Sequence, residues 1–255
     1  MKKLILAALA ALVIGTAAQA DPIKIGNENG QYPPFSSQDP SGKWVGWEIE
    51  IINAVCAQAK LECVITPTSW DGIIPALTSG QIDVIMASMN ITPERQKVID
   101  FSDKYYAAPV MVAVGKDSPI TADAAGLAGK VIGAQVSTVN EQYAQKHFAS
   151  GGAEVKTYQT EDEAYQDLAA GRLDAVIANA VQLQAFLDSA AGQACCKSAG
   201  VVAPDPQVLG LGVGLGVRKG DPLKQTLDAA IKAIRADGTY DAITKKYFNF
   251  DIYGE

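Results

Sequence analysis

Histidine is almost missing from this chain: among 255 residues only His147 carries an imidazole, with no partner at metal-ligand spacing. That argues against a zinc centre, and no Ser/His/Asp arrangement can be assembled around it. Basic residues are also scarce, 21 against 28 acids, for a formal charge of −7. An acidic surface suits neither nucleic acid nor anionic membranes, so no nucleic-acid partner is expected. Long apolar runs are lacking too. The longest, Leu4 to Ile14, falls short of the ~20 residues that span a bilayer. No motif calls for a metal or cofactor, and none is expected.

That run lies between Lys2-Lys3 and Ala18-Gln19-Ala20, the charged, apolar and small-residue order of a secretory signal peptide. Cleavage after Ala20 is expected, removing residues 1–20 and leaving Asp21 first. A lipid anchor would need cysteine there, so a soluble periplasmic or secreted product is expected. The remaining 235 residues carry a formal charge of −9, because Lys2 and Lys3 are gone. They suffice for one large domain or two lobes of about 100 residues each. The four cysteines form two pairs. Cys56 and Cys63 stand at the end of a helical pattern and the start of a strand, a spacing that suits a local disulfide; two free buried thiols are the alternative. Cys195 and Cys196 are adjacent, and their state stays open because vicinal bridges are strained.

What is present is a repeated grammar. Ile23 to Asn27 reads as a strand, followed by a loop over 28–35 that Gly30, Pro33 and Pro34 keep irregular. A helix from about Trp47 to Lys60 places Ile51, Ile52, Val55, Cys56 and Ala59 at helical spacing. A strand over 64–66, a helix from Trp70, and a buried strand over 82–87 complete strand–helix–strand–helix–strand, the order of a parallel sheet. The same order recurs over 130–179. Leu77, Gly80, Ile82 and Asp83 match Leu168, Gly171, Leu173 and Asp174 at a constant offset of 91 residues, which implies two similar lobes. Residues 103–111 read as a crossover, 201–208 as a return, and 209–217 as a glycine-rich strand. Two closing helices, 223–235 and 239–247, are expected to pack on the first lobe.

The first lobe's third strand ends in Ser88, Met89 and Asn90, and Thr92-Pro93-Glu94 reads as a helix start. Arg95 follows. Ligands of open α/β sheets bind beyond the carboxyl ends of the strands, and a guanidinium grips a carboxylate through two hydrogen bonds. Ser88, Asn90 and Arg95 are therefore a candidate carboxylate site. The competing reading pairs Arg95 with Glu94 or Asp100 on the surface.

Tyr32-Pro33-Pro34-Phe35, Val45 to Ile49, Trp70 to Leu77, Asp83 to Arg95, Phe101-Ser102 and Ala236 to Tyr240 together resemble the periplasmic solute-binding proteins (family 3) of polar amino-acid ABC transporters. The likeness is to the lysine/arginine/ornithine- and histidine-binding group and its opine-binding relatives, and it covers the whole mature chain. It implies an α/β, two-lobed periplasmic-binding-protein fold of type II with two hinge crossings. Residues 21–108 and 207–255 would form lobe 1, and 109–206 lobe 2. It also implies a disulfide between Cys56 and Cys63, a monomer, and an inner-membrane permease as partner.

Residue by residue, the resemblance makes Arg95 the α-carboxylate clamp, assisted by Ser88, Asn90 and the Thr138 region, and puts Ala87 among the ligand contacts. Tyr32 and Trp70 would sandwich the ligand side chain, a role that residue type alone would not have given to Trp70. Gln135, Val139 and Asn140 match second-lobe contacts. Two departures stand out. Asn179 occupies the place of an Asp that pairs with the ligand's α-ammonium, and an amide cannot neutralise that charge. The first-loop acid is shifted, with Glu28 one residue early and Asn29 in the usual place, so Glu28 reads as a ligand group or as a solvated acid. A neutral group at the amine suits an opine, whose α-nitrogen is substituted. Rival readings are a dehydratase-type enzyme on the same fold, which needs a carboxylic acid or histidine in the cleft, and a sensory module for a receptor. Glu141 and Asp174 read as local support rather than as cleft acids.

Overall fold

The computed structural model describes residues 21–254, so the expected signal peptide lies outside the described residues. Strand β1 (Ile23–Glu28) leads through a loop into the short hairpin β2 (Ser37–Gln38) and β3 (Trp44–Val45), then helix α1 (Trp47–Ala59). Strand β4 (Cys63–Thr68), α2 (Ile73–Thr78), β5 (Val84–Ile85) and β6 (Ile99–Phe101) follow. The chain then crosses over. Next come β7 (Val110–Gly115), β8 (Val131–Gln135), α3 (Val139–Tyr143), β9 (Glu154–Tyr158), α4 (Glu161–Ala169), β10 (Ala175–Asn179), α5 (Ala180–Asp188), α6 (Ala190–Cys195), β11 (Cys196–Val201) and α7 (Pro206–Leu209). The return is made by β12 (Gly216–Arg218), and α8 (Leu223–Ala236) and α9 (Thr239–Thr244) end the chain.

Two five-stranded sheets result, ordered β4-β1-β5-β12-β6 and β11-β7-β10-β8-β9. In each, three strands are parallel, with the first between the second and third, as the duplicated motif implies. The sheets are mixed rather than purely parallel. Strand β12 enters the first sheet antiparallel to β5 and β6, and β7 lies antiparallel to β10 and β11 in the second. The reason is topological: a strand that arrives from the other lobe enters without a helical crossover and need not run parallel.

The apolar face of α1 (Ile51, Ile52, Val55) shares a core with Leu227, Ile231 and Ile234 of α8, so the closing helices pack on the first sheet's side. Trp47 is wholly buried there and donates its indole N–H to Thr244 Oγ1 at 3.1 Å. The second lobe has clusters on both sheet faces, around Ile132, Phe148 and Ile177, and around Leu168, Val176 and Leu183. Cys56 and Cys63 are disulfide-bonded, tying α1 to β4, and Cys195 and Cys196 are bonded to each other.

Two local expectations change. The helix expected from Thr92 is a single 3-10 turn over Arg95–Lys97, because the chain must reach β6 two residues later. Thr92 still caps it, accepting the Arg95 N–H at 3.2 Å. The strand expected over 209–217 is confined to β12 at Gly216–Arg218, and the stretch around Cys195 and Cys196 is helix α6 followed by edge strand β11, which pairs with β7 as far as Val201. The crossing segments meet where Val213 bridges to both Tyr106 and Asn90, so the return runs beside the outward crossing.

Candidate functional site

Both lobes turn sharply after a central strand, and in both the turn is a serine in the left-handed region: Ser88 at φ 52° and Ser137 at φ 61°. Non-glycine residues persist there only when neighbours hold them. A glutamate does so in each lobe. Glu48 accepts the Ser88 N–H at 2.8 Å, and Glu141 accepts the Ser137 N–H at 2.6 Å. Glu48 is fully buried, also receives the Tyr105 hydroxyl, and is pushed up to about 7 by that burial. Glu141 and Asp174 are local supports, as expected; Asp174 accepts the Val131 N–H and pairs with Lys130.

Between the two turns lies a cavity of about 30 Å³, room for one or two waters, with the lobes close around it. Its walls bring together twelve of the thirteen residues expected at the site: Glu28, Tyr32, Trp70, Ala87, Ser88, Asn90 and Arg95 from the first lobe, and Gln135, Thr138, Val139, Asn140 and Asn179 from the second. Asn29 is the exception. Strand β1 ends at Glu28, whose side chain turns into the cavity, and the next residue is exposed, its N–H donating to Thr68 O.

Arg95 is 8% exposed, and no carboxylate touches it. Its guanidinium donates to Asn90 O at 3.0 Å and, across the lobes, to Ser137 O at 3.3 Å, and lies 5.3 Å from the centre of the Trp70 ring. The surface-pair reading fails: Glu94 pairs with Lys97, and Asp100 with Lys219. Burial without a counter-charge pushes Arg95 down to about 10. Beside it, Ser88 Oγ and Trp70 Nε1 are buried and make no hydrogen bond. A buried cation and two unsatisfied polar groups facing one space are suited to an anionic acceptor.

Other predicted residues have partial local duties. Thr138 caps α3, accepting the Glu141 N–H and donating to Gln135 O. Asn90 Nδ2 holds Leu209 O on the returning chain. Asn179 caps α5, its Oδ1 accepting from Val181 and Gln182. Its amide nitrogen therefore remains for the cavity, and that group donates.

Glu28 is 7% exposed, which removes the solvated-acid reading. Gln135 Nε2 donates to it at 2.5 Å from the other lobe, and burial raises it to about 7. Three lining residues were not expected: Ala108, Val110 and Glu161. Ala108 lies in the outward crossing and Val110 opens β7 just beyond it. Glu161, the first residue of α4, reads in sequence like any first-turn acid at a helix start, and nothing there signals burial. It is 5% exposed and pushed up to about 8 by burial. It adds an acid to the second lobe's side of the cavity, where the residues expected from the sequence (Gln135, Thr138, Val139, Asn140 and Asn179) are all uncharged.

Among the described residues no cluster of potential metal ligands occurs, and no helix is long and apolar enough to cross a membrane. The model of the bacterial extracellular solute-binding proteins, family 3, matches residues 23–250. The chain is similar to the L-arginine-binding protein of Pseudomonas aeruginosa, at 41% identity over 262 aligned positions covering 100% of this chain and 99% of the relative. It is also similar to the histidine-binding periplasmic protein of Salmonella typhimurium, at 38% identity with full coverage of both. Among solved structures, an ancestral arginine-binding protein bound to arginine superposes with a TM-score of 0.80 at 36% identity, covering 89% of this chain and 98% of the other. With the family pattern running through both lobes and the cleft between them, this chain belongs to the bacterial extracellular solute-binding proteins, family 3.

Proposed function

We propose that this chain is the periplasmic substrate-binding component of an amino-acid ABC transporter, capturing a basic or polar amino acid, or an opine-like derivative, by closure of two lobes. The observation that carries the reading is Arg95: a buried guanidinium without a carboxylate, beside unsatisfied Ser88 and Trp70, in a cavity walled by both lobes. The ligand's carboxylate supplies the missing charge. Tyr32 and Trp70 flank its side chain, and Gln135, Val139 and Asn140 meet it from the second lobe. The cavity is too small for an amino acid as it stands, so entry requires the lobes to part. Closure is then stabilised only by contacts that exist in the closed state.

The same reading assigns residues 21–108 and 207–255 to one lobe and 109–206 to the other, with both divisions inside the crossing segments. It also places the mature start at Asp21 after export to the periplasm, gives the closed monomer to an inner-membrane permease, and makes the chain a binder rather than an enzyme. Ligand recovered unchanged after prolonged incubation supports binding without turnover; a new product overturns it.

Isothermal titration and thermal unfolding with L-arginine, L-lysine, L-histidine and octopine test the site. A bound ligand at a hundred times its Kd stabilises the fold by about 2.7 kcal/mol. Arg95→Ala is expected to abolish that shift for every ligand while the unliganded melting temperature stays within a few degrees. Normal binding by the variant contradicts the clamp.

A further inference from the structure

We propose that Glu161 and Glu28, one acid from each lobe, form a two-carboxylate subsite that takes a guanidinium or ammonium group and makes closure depend on that positive charge. The inference rests on the binding reading above and adds to it a partner for the positive charge at the end of the ligand's side chain.

The geometry carries it. Gln135 Nε2 donates both to Glu28 Oε1 at 2.5 Å and to Gln159 O at 3.0 Å, so Glu28 is fastened beside the backbone two residues before Glu161. A Cβ built on Gly30 would lie 3.4 Å from Glu28 Oε1 and 3.7 Å from Thr160 Cγ2, so the first loop and the start of α4 press together there. Both carboxylates line the cavity, and neither has a cation. Glu161 has no part in capping its own helix: Thr160 caps α4, and Glu163 closes the box by accepting from Gln159 and Thr160. Arg95, the cavity's cation, bonds only to carbonyls and feels neither acid. The cavity thus has a positive end and a separate negative end, and the negative end is split between the lobes.

Burying two ionised carboxylates together opposes closure unless one of them holds a proton, and a cation between them takes that proton's place. The groups facing Glu161 are Glu28, Tyr32, Tyr106, Asp162, Tyr165 and Gln182, all acidic or neutral. Tyr165 provides for both protonation states. Its hydroxyl lies 2.8 Å from Glu161 Oε2 and also against Gln182 Oε1. A protonated Glu161 donates to Tyr165, which donates to Gln182; an ionised Glu161 accepts from Tyr165. Binding a cation near neutral pH therefore releases the Glu161 proton to solvent.

The test compares L-arginine with L-citrulline, which has the same shape without the charge. The unmodified protein is expected to prefer arginine by about a hundredfold, and Glu161→Gln to cut that preference by about tenfold or more. Titration at pH 7 in buffers of different ionisation enthalpy should show fewer protons released by Glu161→Gln. If that variant unfolds, Glu161→Asp and the unmodified protein at pH 5 serve instead, both expected to show a reduced preference. A preference that survives in Glu161→Gln, or that is equal at pH 5 and pH 8, overturns the subsite. Equal binding of arginine and citrulline through an essential Arg95 also overturns it, and leaves the binding reading standing.

Discussion

Glu48 is the residue on which the first wall of the cavity depends. It has no solvent exposure, it pins the left-handed Ser88, and its Oε2 is buried without a partner. Burial raises it from 4.5 to about 7, so between those values the folded chain holds a proton that the unfolded chain has released. Its contribution is complete below the unfolded value and lost as pH rises through the folded one. Glu28 and Glu161 are raised for the same reason and act in the same direction. Stability measured by urea unfolding should therefore fall from pH 5 to pH 8. Glu48→Gln, which mimics the protonated acid, is expected to lessen that fall by about 1–3 kcal/mol. An identical pH dependence in the variant would show that Glu48 stays ionised in the fold.

Among the elements, the entry to α1 has the least freedom. Gly46 sits at φ 129°, and a Cβ there would lie 2.3 Å from Phe35 O. The next two residues turn the chain onto the loop: Trp47 N–H donates to Pro34 O and Glu48 N–H to Phe35 O. Gly46→Ala must shift that backbone, and so Glu48 and Ser88 with it. A loss of about 2–4 kcal/mol is expected in urea unfolding. A change under 0.5 kcal/mol would mean that the corner adjusts freely. At this scale the sequence was largely legible, since α1 follows from apolar spacing and the place of β10 from the repeat. The missed elements have a physical reason. Strand β11 is an edge strand rich in small residues, and its pairing partner β7 is about 80 residues away. Thr92-Pro93 carries a valid helix-start signal that the nearby strand β6 overrides.

For the whole molecule, the contacts joining the lobes across the cavity are few and polar: Gln135 to Glu28, and Arg95 to Ser137 O. A hydrogen bond to a charged group contributes about 1.5–3 kcal/mol, enough to bias a hinge. Gln135→Ala removes the first of them. Its ligand-free form is expected to be more extended in small-angle X-ray scattering, with L-arginine affinity lowered by about tenfold, the equivalent of 1.4 kcal/mol. An unchanged radius of gyration and an unchanged Kd would remove Gln135 from the closing mechanism.

By itself the sequence determined the two-lobed α/β architecture and the duplication, and it put Ser88, Asn90 and Arg95 together beyond a strand end; the other residues around the cavity came from the likeness to a known family. Those signals are local: strand and helix periods, a repeat at fixed offset, and motifs of neighbouring residues. Tertiary structure decided which charges are buried and what they face. Arg95 could have paired on the surface until Lys97 and Lys219 were found to occupy its two acids. Glu161 looks in sequence like any first-turn glutamate, and only the approach of the first loop to α4 places it opposite Glu28. The pair of Glu94 with Lys97 is local, but the pairing of Asp100 with Lys219 and the approach of Gln135 to Glu28 join residues more than a hundred positions apart, which no spacing along the chain encodes.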